Sequence, residues 1–336
     1  TTAIPVIEFS EVAPLFANLP EGKKDENIRT MEEYDQGFGS ILYRTVLPAL
    51  PDGGVLCVSD PHDYAQVFVD GLYVGTLDRR LGEKELRLPP CREEAVLDIL
   101  VEAMGRINFG RAIKDFKGIT DRVTVTEQRG GHRFVCDLKG WTVYNLEDKA
   151  EYYDSMEYLP LGAFTPGNDG RLPRGVYRGT FNVDRPGDTF LDFSTWGKGL
   201  VYVNGHPLGR IWEIGPQQTL YMPGCWLRKG ENEIMVYDIL GPREARSRGL
   251  REPIIDSLNL PAIPVHRKDG ETLDLTGETP ALTAACAPGN GWQQFTFDVP
   301  ATGRYVCIEA LSPIGKGTEA AIAELYLLDK DASRGR

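Results

Sequence analysis

Two carboxyl groups facing each other across a cleft, about 5–9 Å apart, would support acid–base hydrolysis. The chain has 49 acidic residues, so pairs arise by chance and closeness in sequence carries no information. None of them occupies a recognisable strand-end setting. Asn232-Glu233 follows Gly230 at the start of a strand, where a hairpin turn accounts for both. The four histidines, at 62, 132, 206 and 266, lack metal-ligand spacing, which predicts no metal site. Gly315-Lys316-Gly317-Thr318 lacks the first glycine of a phosphate loop and has no helix after it. No Gly-x-Ser-x-Gly elbow occurs. The expectation is a chain with no catalytic residue and no cofactor of its own.

Residues suited to binding are easier to find. Trp196-Gly197-Lys198-Gly199 precedes an apolar strand run, and Trp212 follows it closely. A flat aromatic face beside a few convergent polar groups is what a sugar site needs. A tryptophan in a β-sandwich is more often core, and Lys198 between glycines also closes a turn. Trp196, Lys198 and Trp212 are therefore candidates either for sugar contact or for the fold itself. Arg106-Ile107-Asn108-Phe109-Gly110 differs, because it lies beyond the end of an alternating run. It puts Arg106, Asn108 and Phe109 on one loop, as a binding or interface segment would.

The elements that position these residues announce themselves by repetition. Val67-Phe68-Val69-Asp70-Gly71-Leu72-Tyr73-Val74-Gly75 is matched by Val201-Tyr202-Val203-Asn204-Gly205-His206-Pro207-Leu208-Gly209, with Val69 and Val203 134 residues apart. At the same offset Tyr43-Arg44 answers Tyr177-Arg178. Downstream, the segment from Val101 answers that from Tyr237, with the register slipped by two. Three matches in one order imply a duplicated domain, and two copies are too few for a solenoid. Asp-Gly and Asn-Gly tolerate the positive φ of a type I′ turn and close two-residue hairpins. Gly75 and Gly209 mark a bulge or a close backbone approach. Short strands with few helical periods read as an all-β fold of tandem jelly-roll sandwiches.

Thr30-Met31-Glu32-Glu33 has capping-box spacing and predicts a short helix. Residues 147–156 read as a short helix or loop, and residues 243–251 as a solvated helix or loop face. Residues 1–28 read as a lead-in that docks on something else, 29–145 as the first sandwich and 146–250 as the second. Residues 251–336, alternating at 291–298 and 304–309, read as a third, smaller β domain. The net charge of −12 disfavours nucleic acid and anionic membrane as partners. No apolar run is long enough to span a membrane. Cys57, Cys136 and Cys307 lie in apolar runs and read as buried free thiols. The first residue is not Met, which fits a fragment or a processed form.

The segment from Thr195 to Trp212, Thr-Trp-Gly-Lys-Gly-Leu-Val-Tyr-Val-Asn-Gly-His-Pro-Leu-Gly-Arg-Ile-Trp, closely resembles the galactose-binding-like domain of glycoside hydrolase family 35 β-galactosidases. Gly215-Pro216-Gln217-Gln218 and Leu227-Arg228-Lys229-Gly230 continue the resemblance. Met31-Glu32-Glu33-Tyr34-Asp35-Gln36-Gly37-Phe38-Gly39 and the Gly105–Gly110 segment are similar to that family's first all-β domain. The tail from Ile255 is loosely similar to discoidin-type sandwiches. The resemblance covers roughly residues 1–240 and implies the non-catalytic region that follows the family's catalytic (β/α)8 barrel. That barrel and its two glutamates, which act with retention, have no counterpart here. A barrel needs about 250 residues of alternating strands and helices, and no such alternation is present.

What the resemblance implies is an accessory region that buttresses a barrel of the same polypeptide, completes its substrate mouth and is inert alone. A galactoside or other glycan is the implied ligand; the absence of any Asn-x-Ser/Thr sequon fits a bacterial source, and a periplasmic or secreted setting is the expectation for a bacterial parent. Phe109 would lean toward the barrel's galactose pocket, with Arg106 and Asn108 beside it. A free-standing sugar-binding module or lectin is the alternative.

Overall fold

The computed structural model describes residues 1–259 except Gly131, and in addition 279–287, 293–297, 299, 308 and 311. Residues 1–263 form one compact unit and 264–336 another. The expected third β domain at 251–336 lies largely outside the described residues.

The first sandwich packs a six-stranded antiparallel sheet on a four-stranded one. The larger sheet runs Lys23–Asp25, Trp141–Leu146, Ser40–Leu47, Ala95–Glu102, Tyr64–Val69 and Leu72–Asp78 in spatial order. The smaller runs His132–Asp137, Val123–Arg129, Gly54–Val58 and Glu85–Leu88. Alternate side chains of both fill one core, including Tyr43, Val67, Ile99, Leu56, Val125 and Trp141.

The second sandwich repeats four neighbouring strands of the first's larger sheet. Gly175–Val183, Gly230–Asp238, Lys198–Val203 and His206–Trp212 are neighbours in the same order as Ser40–Leu47, Ala95–Glu102, Tyr64–Val69 and Leu72–Asp78. Registers agree as well. Tyr43 faces Ile99, which faces Val67, which faces Gly75; Tyr177 faces Val236, which faces Val201, which faces Gly209. Both hairpins turn as expected, with Asp70 at φ 48° and Gly71 at 76°, and Asn204 at 50° and Gly205 at 78°. Each shifts register two residues before the turn, between Val67 and Phe68 and between Val201 and Tyr202. The glycines at 75 and 209 thus belong to matched bulges. One detail differs: Ile99 corresponds to Val236, so the final strand is slipped by three residues and not two.

The N-terminal segment docks on the second sandwich. Ile4–Pro14 is an inner strand of the second sandwich, paired with Gly175–Val183 through residues 9–14 and with Arg246–Leu250 through residues 4–8. The register shift between Phe9 and Glu11 lets one strand serve both sheets. Ile4, Ile7, Phe9 and Val12 are buried in the second core. Residues 246–250 are correspondingly a strand that completes the Thr189–Asp192 and Thr219–Met222 side, where a solvated helix or loop was expected.

Half of the capping box forms, since the Thr30 hydroxyl bonds the Glu33 carboxylate and not the Glu33 amide. Glu33 Oε2 accepts from the Thr30 amide at 3.1 Å and opens a single 3₁₀ turn, Glu32–Tyr34. The helix in the 147–156 segment is Ala150–Asp154. Cys57 is only half-buried and Cys136 is exposed, because its strand edges the smaller sheet; Cys307 lies outside the described residues.

The repeated sheets meet through their outer faces. Leu42, Phe68 and Leu100 of the first pack with Val176, Tyr202, Met235 and Tyr237 of the second, around Tyr153. Gln66, fully buried, donates to Ile239 O at 2.7 Å and accepts from Arg174 Nε at 2.9 Å. A polar pair at the centre of an apolar interface fixes its register, because a slip would strand both groups.

Candidate functional site

A groove of about 670 Å³ opens where the two sandwiches meet. Phe38, Met104 and Arg106 line one side; Lys198, Arg210, Trp212 and Gln217 line the other. Three of the six candidate residues, Arg106, Lys198 and Trp212, therefore converge on one surface. Asn108 and Phe109 stand apart on an exposed loop, and Trp196 is elsewhere.

Trp196 is a core residue. It is 1% exposed, donates Nε1 to Arg246 O at 2.9 Å, and packs edge-on with Phe9, Tyr177 and Phe193. No sugar reaches it. Gly199 nearby is required for packing: a Cβ there would lie 1.7 Å from Tyr237 O, so only glycine lets the strands approach.

Lys198 leaves its strand toward the groove floor and ion-pairs with Glu102 of the first sandwich. Glu102 also accepts from Arg210 Nη1 at 2.9 Å, and Arg210 Nη2 reaches Asp148 at 3.4 Å. Glu102 and Asp148 are both buried, whereas Arg210 is half-exposed. Burial pushes the Asp148 carboxyl up to about 6, with the Glu102 charge adding to the rise against Arg210. Neither carboxylate lines the groove. The pair serves as interdomain electrostatics and presents no acid and base to a ligand.

The Trp212 ring is occupied by its neighbours. Lys198 Nζ lies 4.3 Å and Arg80 Cζ 4.1 Å from its centre, and Tyr64 meets it edge-on at 5.6 Å. A ring held by two cations has little free face on which to stack a sugar. The exposed aromatic surface of this groove comes from Phe38.

Sequence patterns did not single out the residue that holds the Lys198 turn. Asp238, fully buried, accepts from the amides of Gly197 (2.7 Å), Lys198 (3.1 Å), Leu240 and Gly241 (both 2.9 Å). Burial raises its carboxyl above the usual value, and the donated bonds and Arg171 oppose that. A lone acid ending the apolar run Ile234–Tyr237 was the available signal.

Phe109 is 86% exposed, on a loop that also exposes Ile107, Ile113 and Phe116. Arg106 faces inward from the loop's foot. It donates to Asp115 O at 2.7 Å and Gly37 O at 2.6 Å, and pairs with Glu32 at 2.6 Å. Arg106 is thus a bracket between the loop and the groove, while Asn108 and Phe109 are free for contact.

The family described as "Beta-galactosidase, first all-beta domain" matches residues 29–147, and "Beta-galactosidase, galactose-binding domain" matches 175–232. The chain carries the first all-β and galactose-binding domains of β-galactosidases. Among relatives, human "Beta-galactosidase-1-like protein 3" is 36% identical over 215 residues, 63% of this chain and 30% of that protein. A "Beta-galactosidase" of Xanthomonas manihotis is 36% identical over 225 residues, 66% of this chain and 34% of the relative. "Beta-galactosidase 17" of Arabidopsis thaliana is 33% identical over 237 residues, 63% and 33% of the respective chains. The chain spans about a third of the length of these β-galactosidase relatives. Among the described residues no helix is long and apolar enough to cross a membrane, and no group of three or more His, Cys, Asp or Glu side chains could hold a metal ion.

Proposed function

We propose that this chain is the accessory region of a family 35 β-galactosidase that hydrolyses terminal β-galactosides with retention. The two sandwiches buttress a (β/α)8 barrel of the same polypeptide, and the Arg106–Phe109 segment completes the substrate mouth. The observation that carries this reading is Phe109: a large ring, almost wholly exposed, on a loop bracketed to a rigid sandwich. Isolated exposed apolar residues are ordinary, but four on one loop mark a contact surface. The limited share of each relative covered by this chain supports the same view. In the polypeptide that carries the barrel, Phe109→Ala should lower kcat/KM for a chromogenic β-galactoside about fivefold, the worth of one aromatic contact of about 1 kcal/mol. Its melting temperature should stay within a degree or two, because no core is disturbed. The 336-residue chain alone should give no turnover above buffer. Unchanged kcat/KM in Phe109→Ala, or turnover by the chain alone that one acidic substitution abolishes, overturns the reading.

The groove beside Phe38 favours one other reading, a glycan-binding module that acts without a barrel. Binding of galactosides to the isolated chain, lost in Phe38→Ala and unaffected in Phe109→Ala, would select it.

A further inference from the structure

Among the described residues, a dense cluster of buried ionisable groups lies beneath the Phe109 loop. Lys117 is fully buried and donates Nζ to Asp63 Oδ2 at 2.7 Å, Asp115 Oδ2 at 2.8 Å and Gly105 O at 3.1 Å. Arg79 Nη1 bridges the other oxygens of the same two carboxylates, at 2.6 and 2.8 Å. His62 Nδ1 donates to Phe116 O at 2.5 Å. Burial opposes ionisation of Asp115, yet the bonds from Lys117, Arg79 and the Ile107 amide hold its carboxyl well below the usual range.

All of these bonds but Arg79–Asp63 touch a foot of the loop. Asp63 accepts from the Met104 amide at 2.7 Å and Asp115 from the Ile107 amide at 3.1 Å, which tie down the outgoing strand. Lys117 and Asp115 themselves form the return, and the Lys117 amide bonds Glu32 at 3.1 Å. Burying two carboxylates and two cations is costly compared with apolar packing, and such clusters bring one geometry more than they bring stability. Between the feet the loop shows exposed Phe109, Ile113, Arg111 and Lys114, and its one acid is the buried Asp115. On a chain of net charge −12 this is a basic, apolar tip.

We infer that Lys117, with Asp63, Asp115 and Arg79, is a positioning cluster that holds residues 105–114 preformed for insertion at an acidic, apolar-walled cleft. The cleft is the carboxylate-bearing mouth of the barrel, so this rests on the function proposed above. A preformed loop binds without the cost of ordering on contact, which a loose one would incur.

Hydrogen exchange on the 336-residue chain tests the cluster without any barrel. In the wild-type chain the Met104 and Ile107 amides should be protected. In Lys117→Met both should exchange at least about tenfold faster, while amides of Gly230–Asp238 keep their rates. Lys117→Arg should restore part of the protection, because it returns the charge. If Lys117→Met does not fold, Arg79→Met, at the half-exposed rim, replaces it with the same expected signature. Wild-type amides at 104 and 107 that exchange as in a free peptide, or variants with unchanged loop rates, overturn the inference. That outcome leaves the proposed function standing, since Phe109→Ala in the barrel-bearing polypeptide and turnover by the chain alone decide it.

Discussion

Asp238 shows how much of this structure turns on single polar atoms. Four backbone amides converge on one buried carboxylate, and two of them belong to the turn that aims Lys198. Replacing it with alanine would leave all four donors without partners in the core. Each such loss costs about 1–3 kcal/mol, so Asp238→Ala should destabilise by roughly 4 kcal/mol or more. Asp238→Asn should cost less, because one oxygen still accepts two or three of the bonds. Urea unfolding of the two variants separates them, and equal midpoints would mean that the carboxylate does not hold the turn. Residues of this kind were the least legible in the sequence. Asp238, Glu102, Asp148, Asp63 and Lys117 are charged, and a charged residue reads as solvated until its burial is seen. Trp196 and Trp212, by contrast, drew attention as aromatic rings, but one is core and the other is held by cations.

At the scale of strands, local chemistry was legible and long-range pairing was not. Asp70-Gly71 and Asn204-Gly205 identified both hairpins because positive φ is a property of the dipeptide itself. Nothing local could state that Ile4–Pro14 crosses the whole first sandwich in sequence to pair with Gly175–Val183 and Arg246–Leu250. Its burial pattern switches at the bulge, which obscured the alternation that would have marked it as a strand. The pairing makes the second sandwich discontinuous, with the first inserted between its first two strands. A chain that starts at Asn18 should therefore lose the second sandwich selectively, since Ile4, Ile7, Phe9 and Val12 leave its core together. Each buried apolar side chain of this size contributes about 1.5–3 kcal/mol, so the four together are worth about 6–12 kcal/mol, comparable to the whole stability of a typical domain. A synthetic peptide of residues 1–17 should restore it in trans. Near-native Trp196 fluorescence in the truncated chain without peptide would refute the assignment.

The two sandwiches behave as one body because their repeated sheets share an apolar interface, and the ionic cluster at its rim makes that body sensitive to pH. Asp148 is the group concerned, since burial and the Glu102 charge lift its carboxyl to about 6 in the folded chain. In the unfolded chain it titrates near the ordinary value of about 4. Between these limits the folded protein holds a proton that the unfolded chain has released. Stability therefore falls as pH rises from about 4 to about 6, by at most about 3 kcal/mol, and levels off above. Asp115 acts in the opposite sense. Its depressed carboxyl contributes stability above the ordinary aspartate range, and that stability is lost as the solution becomes more acidic than about pH 4. Together these two groups contribute most in the mildly acidic range, near about pH 4. With a net charge of −12, many other carboxylates titrate as well, so wild-type melting curves alone would not isolate Asp148. Asp148→Asn does so, because asparagine keeps an acceptor for Tyr153 OH, now at 3.2 Å, and stays neutral at every pH. The variant should melt several degrees above wild type at pH 7.5 and close to it at pH 4.5. Parallel pH curves for the two proteins would mean that Asp148 ionises normally and that the rim cluster does not tune the joint between the sandwiches.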